Sequence, residues 1–320
     1  MTVANAELLF VKSVKDGIPN RDPLNDSDAR RLFGEDDGRI SLSDVSIKRD
    51  VRDFVQSRYP DGGENNNYYI WCREERTPDG KLLGRDNLAK KILERAGQEK
   101  AKNKQEALLA SAFDMRVFGA VFSVERQSFH NTGPVQFGWA HSLHPVETRY
   151  VQGTTVMPST DIAVSETGEE GGKGQGTIWT SYHLPFAVFG MPGVINAALS
   201  KETKMTAADV ETMLEGLWKG TLHRQARGRG IQQPLLLLHV EYNDDFFRIG
   251  YLEDYLELDP EREEWLSGNP PTSISEVTLN IESLAGVLEK FSHKIKRIRW
   301  WKHPDFSLKG KLPGNAEQIW

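Results

Sequence analysis

The chain has 320 residues, 38% of them hydrophobic and 27% charged, with a net charge of −6 at neutral pH. That is the composition of an ordinary globular protein, long enough for one large core or for two domains. It excludes a uniformly basic nucleic-acid binder, and no run approaches the ~18 consecutive apolar residues of a membrane span.

The opening MTVANAELLFVKSV has neither the basic start nor the long apolar stretch of a secretory signal. The single cysteine, Cys72, excludes an internal disulfide framework and fits a reducing cytoplasm. It stands in YYIWCREE, which reads as a buried strand end.

Glu7 to Val14 is predicted as the first strand, followed by the loop KDGIPNRDPLNDSDARRLFGEDDGRI. Its density of Gly, Pro, Asn and Asp forbids regular structure. Ser43 then makes a good N-cap for a helix whose buried stripe is Ile47, Val51, Phe54 and Val55. Lys48, Arg49 and Arg52 fall beside that stripe, placed to line a groove at the domain edge.

The stretch LAKKILERAGQEKAKNKQEALLASAF reads as one or two basic, partly amphipathic helices, and Asp114 to Val124 as a strand. The glycine-rich run from Gly168 to Gly176 cannot form a core, so a long projecting hairpin is expected around it. Thr177 to Met191 returns as strand. Thr206 caps a helix with Val210, Met213, Leu214 and Leu217 as its apolar face. The nearly continuous apolar run from Pro234 to Tyr242 is a central strand. Leu284, Leu288, Phe291, Ile295 and Ile298 are spaced as a last amphipathic helix.

The core order is therefore strand, helix, strand, long excursion, strand, helix, strand. That is the βαββαβ pattern of a ferredoxin-like or RNA-recognition-type α+β domain. One domain over residues 1–320 is expected, with insertions at about 60–112 and about 146–185. Residues 243–320 form an acidic segment plus the C-terminal helix.

Charge is segregated along the chain. Glu241 to Trp265 is heavily acidic, whereas Lys219 to Gly230 and Lys290 to His303 contain no acidic residue. Opposite poles suit an anionic ligand on one face, or head-to-tail contact between copies; two solvated surfaces explain them equally well.

No phosphate-binding, dinucleotide-binding or nucleophile-elbow motif is present. His130, His141 and His144 lack acidic or cysteine partners in the set of three or four ligands that zinc needs, so packing or an RNA-facing role is the better reading. Asp22, Asp26 and Asp28 are the plausible nuclease carboxylates, able in principle to hold Mg²⁺; turn chemistry accounts for them more simply. No cofactor or metal is expected. The loop from Lys219 to Gly230 is the best candidate site: Arg224, Arg227 and Arg229 are flanked by glycines, and the planar arginine fork matches phosphate. A helix dipole would explain only one or two of these charges.

Several blocks together carry a resemblance. GIPNRDPLND, LSDVSIKRDVRDFV, FDMRVFGAVFSV, TGPVQFGWAHSLHPV and LWKGTLHRQARGRGIQQPLLLLHVEY, spread from about residue 7 to 242, resemble the Cas-seven family. This is the backbone subunit of the CRISPR Cascade surveillance complex, and the type I-B branch fits best, with type I-C next. The resemblance implies a non-enzymatic protein with an RNA-recognition-like palm, inserted fingers (about 60–112) and a thumb (about 146–185). Its partners would be CRISPR RNA, further copies of itself stacked head to tail, other Cascade subunits, and target DNA through guide pairing. No membrane is involved.

Carried onto this chain, the family roles place Lys48, Arg49, Arg52, Arg224, Arg227 and Arg229 on RNA phosphates. Gly133 and Pro134 turn the chain toward the thumb base, packed by Phe137 and Trp139, with Gln136 or His141 reaching the RNA. Met157 is the expected wedge between bases. Glutamate at Arg224, Arg227 and Arg229 together is expected to abolish RNA retention in a folded protein. The first loop departs from the family's G-N-P-N-G-D-P pattern at Ile18 and Arg21, and the arginine there either adds a phosphate contact or marks a branch with a different loop geometry. Two alternatives stand beside this reading: a metal-dependent ribonuclease on the same fold using Asp22 and Asp26, and a protein scaffold without nucleic acid.

Overall fold

In the computed structural model, which describes residues 2–25, 28–124, 127–155 and 178–320, the chain opens with β1 (Ala6–Gly17). Nine of its first nine residues are buried, as befits a strand covered on both faces. A short β2 (Ser41–Leu42) leads into α1 (Asp44–Arg58), with Ser43 at the N-cap position. Ile47, Val51, Phe54 and Val55 make its buried stripe, as their spacing predicts.

The next segment carries α2 (Arg85–Arg95), α3 (Lys104–Ser111), α4 (Phe113–Phe118), β3 (Gly119–Val124) and β4 (Gln127–Thr132). It has its own apolar cluster, in which Trp71, Leu88, Ile92, Leu108, Met115 and Phe122 meet. The expected strand from Asp114 to Val124 is thus half helix, half strand. Gly119, at φ 82°, ends α4 and starts β3, which among the described residues pairs with β4 alone and stays out of the main sheet. Alternating apolar residues in FDMRVF also fit a helix turn, and Asp114 decides the matter. Its buried carboxylate accepts from the backbone N–H groups of Trp71 and Cys72, which binds this helix to the preceding segment.

Two short strands follow, β5 (Val135–Phe137) and β6 (Ala140–Ser142), then β7 (Arg149–Thr154) and the long β8 (Ile178–Ile195). The region of Gly133 to Trp139 therefore does not only turn the chain: it supplies β5 to the main sheet, with Gln136 opposite Val194. β7 and the start of β8 form an antiparallel ribbon running from Arg149 opposite His183 to Thr154 opposite Ile178. Met157 and the Gly168–Gly176 run lie outside the described residues.

After α5 (Ala197–Thr203), α6 (Ala207–His223) begins with a reciprocal capping box between Thr206 and Asp209. It leads into β9 (Ile231–Tyr242). Helices α1 and α6 pack tightly because α6 presents Gly220 to α1. A Cβ at that position would lie 2.2 Å from the carbonyl oxygen of Asp50.

The C-terminal part contributes β10 (Glu257–Asp259), α7 (Arg262–Trp265), β11 (Thr278–Asn280), α8 (Glu282–Lys290), β12 (Ile295–Lys302), β13 (Ser307–Lys309) and β14 (Asn315–Ala316). The predicted last helix stops at Lys290. A short turn follows, and Ile295 to Lys302 pair with β9 as a strand. The helical spacing of Ile295 and Ile298 is overridden because β9 offers an open edge, and branched and aromatic residues suit a half-buried strand.

The main sheet runs β14-β12-β9-β1-β8-β6-β2, with β5 and β7 also paired to β8. Strand β1 is antiparallel to both neighbours, so Phe10 stands between Met191 and Leu237. A separate sheet of order β10-β11-β13 covers one flank. The fold is mixed α+β with several sheets, and no helix among the described residues is long and apolar enough to cross a membrane.

Candidate functional site

At the end of the sheet where β1 leaves and β9 enters, three segments converge: the turn after β1, the first turns of α1, and the loop after α6. They enclose a groove of about 430 Å³ lined by Arg21, Arg49, Arg224, Arg227 and Arg229, together with Asn20, Ser43 and Ser46. Among the described residues no carboxylate lines it. The chain is acidic overall, yet five arginines line this groove, four of them at its surface and Arg229 buried in its floor.

A buried polar network under the groove holds the arginines in place. Asp50, fully buried on α1, accepts from Arg229 at 2.8 Å, Arg224 at 3.0 Å and Lys12 at 3.2 Å. Lys12 also donates to Gln232 at 2.9 Å, and Arg229 to the carbonyl of Pro19 at 2.8 Å. Arg224 also pairs with Asp53 at 3.5 Å, so three cations meet two carboxylates and the network keeps excess positive charge. Burial, opposed by Asp50 and reinforced by Arg229, brings Lys12 down to about 8. Burial also lowers Arg229.

Arg227 is exposed and has a different partner: its guanidinium lies 4.7 Å from the Trp179 ring on β8. Arg21 donates to Ser181 at 3.1 Å, also on β8. Gly228, at φ 73°, leaves room for Arg21, since a Cβ there would meet its guanidinium at 1.7 Å. The base of the β7–β8 ribbon is therefore tied to the groove by two arginines.

The structure divides the residues expected from the sequence. It brings Arg49, Arg224, Arg227 and Arg229 to one groove. Arg229, however, is only 6% exposed and is an internal partner of Asp50, so glutamate there would oppose a buried carboxylate. Lys48 and Arg52 do not line the groove. Lys48 is buried and donates to Asp44 and to Gln136, and Arg52 pairs with Asp114 at 2.8 Å. Gln136 in turn donates to the Gly133 carbonyl. His141 meets Ser41 at 2.9 Å and packs on Phe33, and burial lowers its proton affinity.

Other expectations resolve locally. His144 is buried against Trp265, with Nε2 accepting from the Val188 N–H. Among the described residues no three His, Cys, Asp or Glu side chains are placed to hold a metal ion. Asp22 accepts from the Leu24 N–H, and Asp28 accepts from the Ala29 N–H and from Thr148; Asp26 lies outside the described residues. Cys72 is exposed rather than buried, because the expected strand end is a bend held by Asp114.

The charge poles also fold onto each other. In β12, Arg297 pairs with Glu241, Arg299 with Glu211, and nearby Lys294 with Asp244. The second basic cluster is thus largely satisfied within the chain.

Lys12, Asp50 and Asn20 were not singled out by sequence reasoning. A signal existed for two of them: Lys12 interrupts the apolar run ELLFVKSV, and Asp50 sits beside Val51 in the helix stripe. A charge inside a buried pattern marks an internal pair.

Taken together, these features define a mixed α+β protein with an arginine-lined groove, free of carboxylates among the described residues and tied to an exposed antiparallel ribbon. A model of the family described as "CRISPR-associated protein Cas7" matches residues 4–282, and the chain belongs to that family. A CRISPR-associated protein Cas7 from Haloferax volcanii is 27% identical over 322 residues, spanning 93% of this chain and 86% of the relative. Among solved structures, a chain of a "CRISPR RNA-guided surveillance complex, pre-nicking" matches with TM-score 0.58 and 16% identity, over 99% of this chain and 96% of that one. A chain of a "CRISPR RNA-guided surveillance complex" matches with TM-score 0.52 and 14% identity, over 99% and 95% respectively. At these identities the two structures establish a shared fold.

Proposed function

We propose that this chain is a non-enzymatic CRISPR RNA-binding subunit. Copies stack head to tail along the guide RNA, build the backbone of a type I surveillance complex, and leave bases free to pair with target DNA. Family membership and the fold shared with chains of RNA-guided surveillance complexes support this reading. The observation that carries it is the groove: five arginines, no lining carboxylate among the described residues, and a buried network beneath it with three cations on Asp50. Such a site is short of negative charge, and a phosphodiester backbone supplies it without reading sequence.

In this proposal Arg227, Arg224, Arg49 and Arg21 contact phosphates, while Arg229 holds the groove floor. Lys48, Arg52, Gln136 and His141 act by positioning elements around it. The antiparallel order β9-β1-β8-β6, with α1 and α6 packed together, supports an RNA-recognition-type palm. The helical segment with its own core corresponds to fingers, and the β7–β8 ribbon to the base of a thumb on which Met157 remains the candidate wedge. The sequence blocks fit the type I-B branch best, with the surveillance complex in the cytoplasm.

The test is co-expression with a CRISPR repeat–spacer RNA, followed by native mass and nuclease protection. An assembly of several copies on intact RNA of defined length is the expected result. A nucleic-acid-free protein that ignores the RNA overturns the proposal, and metal-dependent cleavage of complementary RNA would favour the ribonuclease alternative.

A further inference from the structure

Ser43 occupies the N-cap position of α1 with extended backbone, yet its side chain makes no cap hydrogen bond. Its hydroxyl instead donates to Asn20 Oδ1 at 2.8 Å, and its own backbone N–H donates to the same oxygen at 2.8 Å. An amide N–H can only donate, so this pair of contacts fixes which end of the Asn20 amide faces Ser43. Among the described residues no hydrogen bond engages the Asn20 Nδ2 group and none is donated to Ser43 Oγ, and Ser43 reaches the groove with only 3% of its surface exposed. Both residues line the arginine groove.

The groove thus offers one free donor and one free acceptor side by side. A phosphate oxygen accepts only, and it satisfies Asn20 Nδ2 but not Ser43 Oγ, whose proton is already directed to Asn20. A hydroxyl satisfies both at once. Ribose carries such a hydroxyl next to each backbone phosphate, and deoxyribose does not.

We infer that Asn20 and Ser43 read the ribose 2′-hydroxyl, making the groove selective for RNA over DNA. The inference rests on the proposed reading of the groove as a nucleic-acid backbone site and adds to it the residues that set sugar preference. Arginines alone attract either polymer. A site built to hydrogen-bond a hydroxyl instead leaves its polar groups unpaired when the hydroxyl is missing.

The test uses the full chain and short single-stranded oligonucleotides of one sequence, made as RNA, as DNA and with 2′-O-methyl ribose, with binding read by fluorescence anisotropy. RNA is expected to bind at least about fivefold more tightly than DNA, the effect of one net hydrogen bond, with the 2′-O-methyl form, which accepts but does not donate, weaker than RNA. Ser43→Ala removes the acceptor and is expected to bring the RNA-to-DNA ratio toward one, while Ser43→Thr keeps the hydroxyl and the preference. Asn20→Asp keeps the bond to Ser43 but loses the donor. It weakens binding to both polymers through its charge and still narrows the ratio, so it serves even if Ser43→Ala does not fold. Equal binding of RNA and DNA by the unaltered protein overturns the inference and leaves the groove reading intact. An unchanged ratio in both Ser43→Ala and Asn20→Asp does the same. Failure of every oligonucleotide to bind overturns the groove reading and this inference with it.

Discussion

Arg229 reaches Asp50 at 2.8 Å inside the protein, with 6% of the arginine and none of the aspartate exposed. The same carboxylate holds Arg224 and Lys12, so one side chain organises the floor of the groove. Removing it leaves buried cations without a counter-ion. Asp50→Ala is expected to lower stability by about 3–5 kcal/mol, read by urea denaturation. An effect below about 1 kcal/mol would mean that water or rearrangement neutralises the network.

Arg229 and Arg227 should separate stability from binding. Arg229→Glu faces a buried carboxylate and is expected to unfold the chain. Arg227→Glu changes an exposed group, so its unfolding midpoint should stay within about 0.5 kcal/mol of the parent. Its binding to RNA should fall, and Arg227→Ala should reduce the slope of log affinity against log salt by about 0.7. A slope unchanged in Arg227→Ala would remove this residue from the interface.

Acid should weaken the protein through its buried histidines. Burial brings His144 and His239 from 6.5 to about 3. Nδ1 of His144 lies 2.8 Å from the Pro145 carbonyl and Nε2 accepts from the Val188 N–H, so the neutral ring is the one that fits. Both folded values lie below the unfolded one, and the unfolded chain takes up protons first. Stability is therefore full above about 6.5 and falls as the pH drops toward 3, by on the order of 1 kcal/mol per pH unit for each histidine. Urea midpoints across that range measure it, and His144→Phe should show a shallower fall.

Gly220 tests the contact that carries Asp50 to its place. A Cβ there would sit 2.2 Å from the Asp50 carbonyl, which is backbone and cannot swing aside. Gly220→Ala is expected to cost about 1–3 kcal/mol and to disturb the groove as α1 shifts from α6. Its thermal midpoint, together with RNA affinity, gives both readings.

Cys72 is exposed, although the apolar residues before it suggest burial. One thiol per chain should react with a disulfide reagent in the native protein without denaturant. Reaction only after unfolding would contradict the bend that Asp114 holds.

Much of the core was legible because its apolar periodicity is strong. β1, α1, α6 and β9 fall where their patterns place them, and Ser43 and Thr206 stand at the predicted helix starts. Asp114 to Val124 and Ile295 to Ile298 were misread for a common reason. Each is a short run whose apolar residues fit both periods, and the outcome depends on a partner distant in sequence: Asp114 with Trp71, or Ile298 with Val240.

The basic stretch from Lys219 to Gly230 was visible as four cations without an acid, three of them in the loop after α6, and the resemblance of the quoted blocks pointed to an RNA backbone. Which cations face outward was not visible. Arg224, Arg227 and Arg229 lie within six residues, yet one pairs with two aspartates, one stacks on Trp179, and one is buried on Asp50. Local pattern determines helices, strands and the presence of charge, because those depend on neighbours along the chain. The direction of a charged side chain depends on a counter-charge brought from elsewhere, here from α1, β1 and β8, and only the tertiary structure decides that.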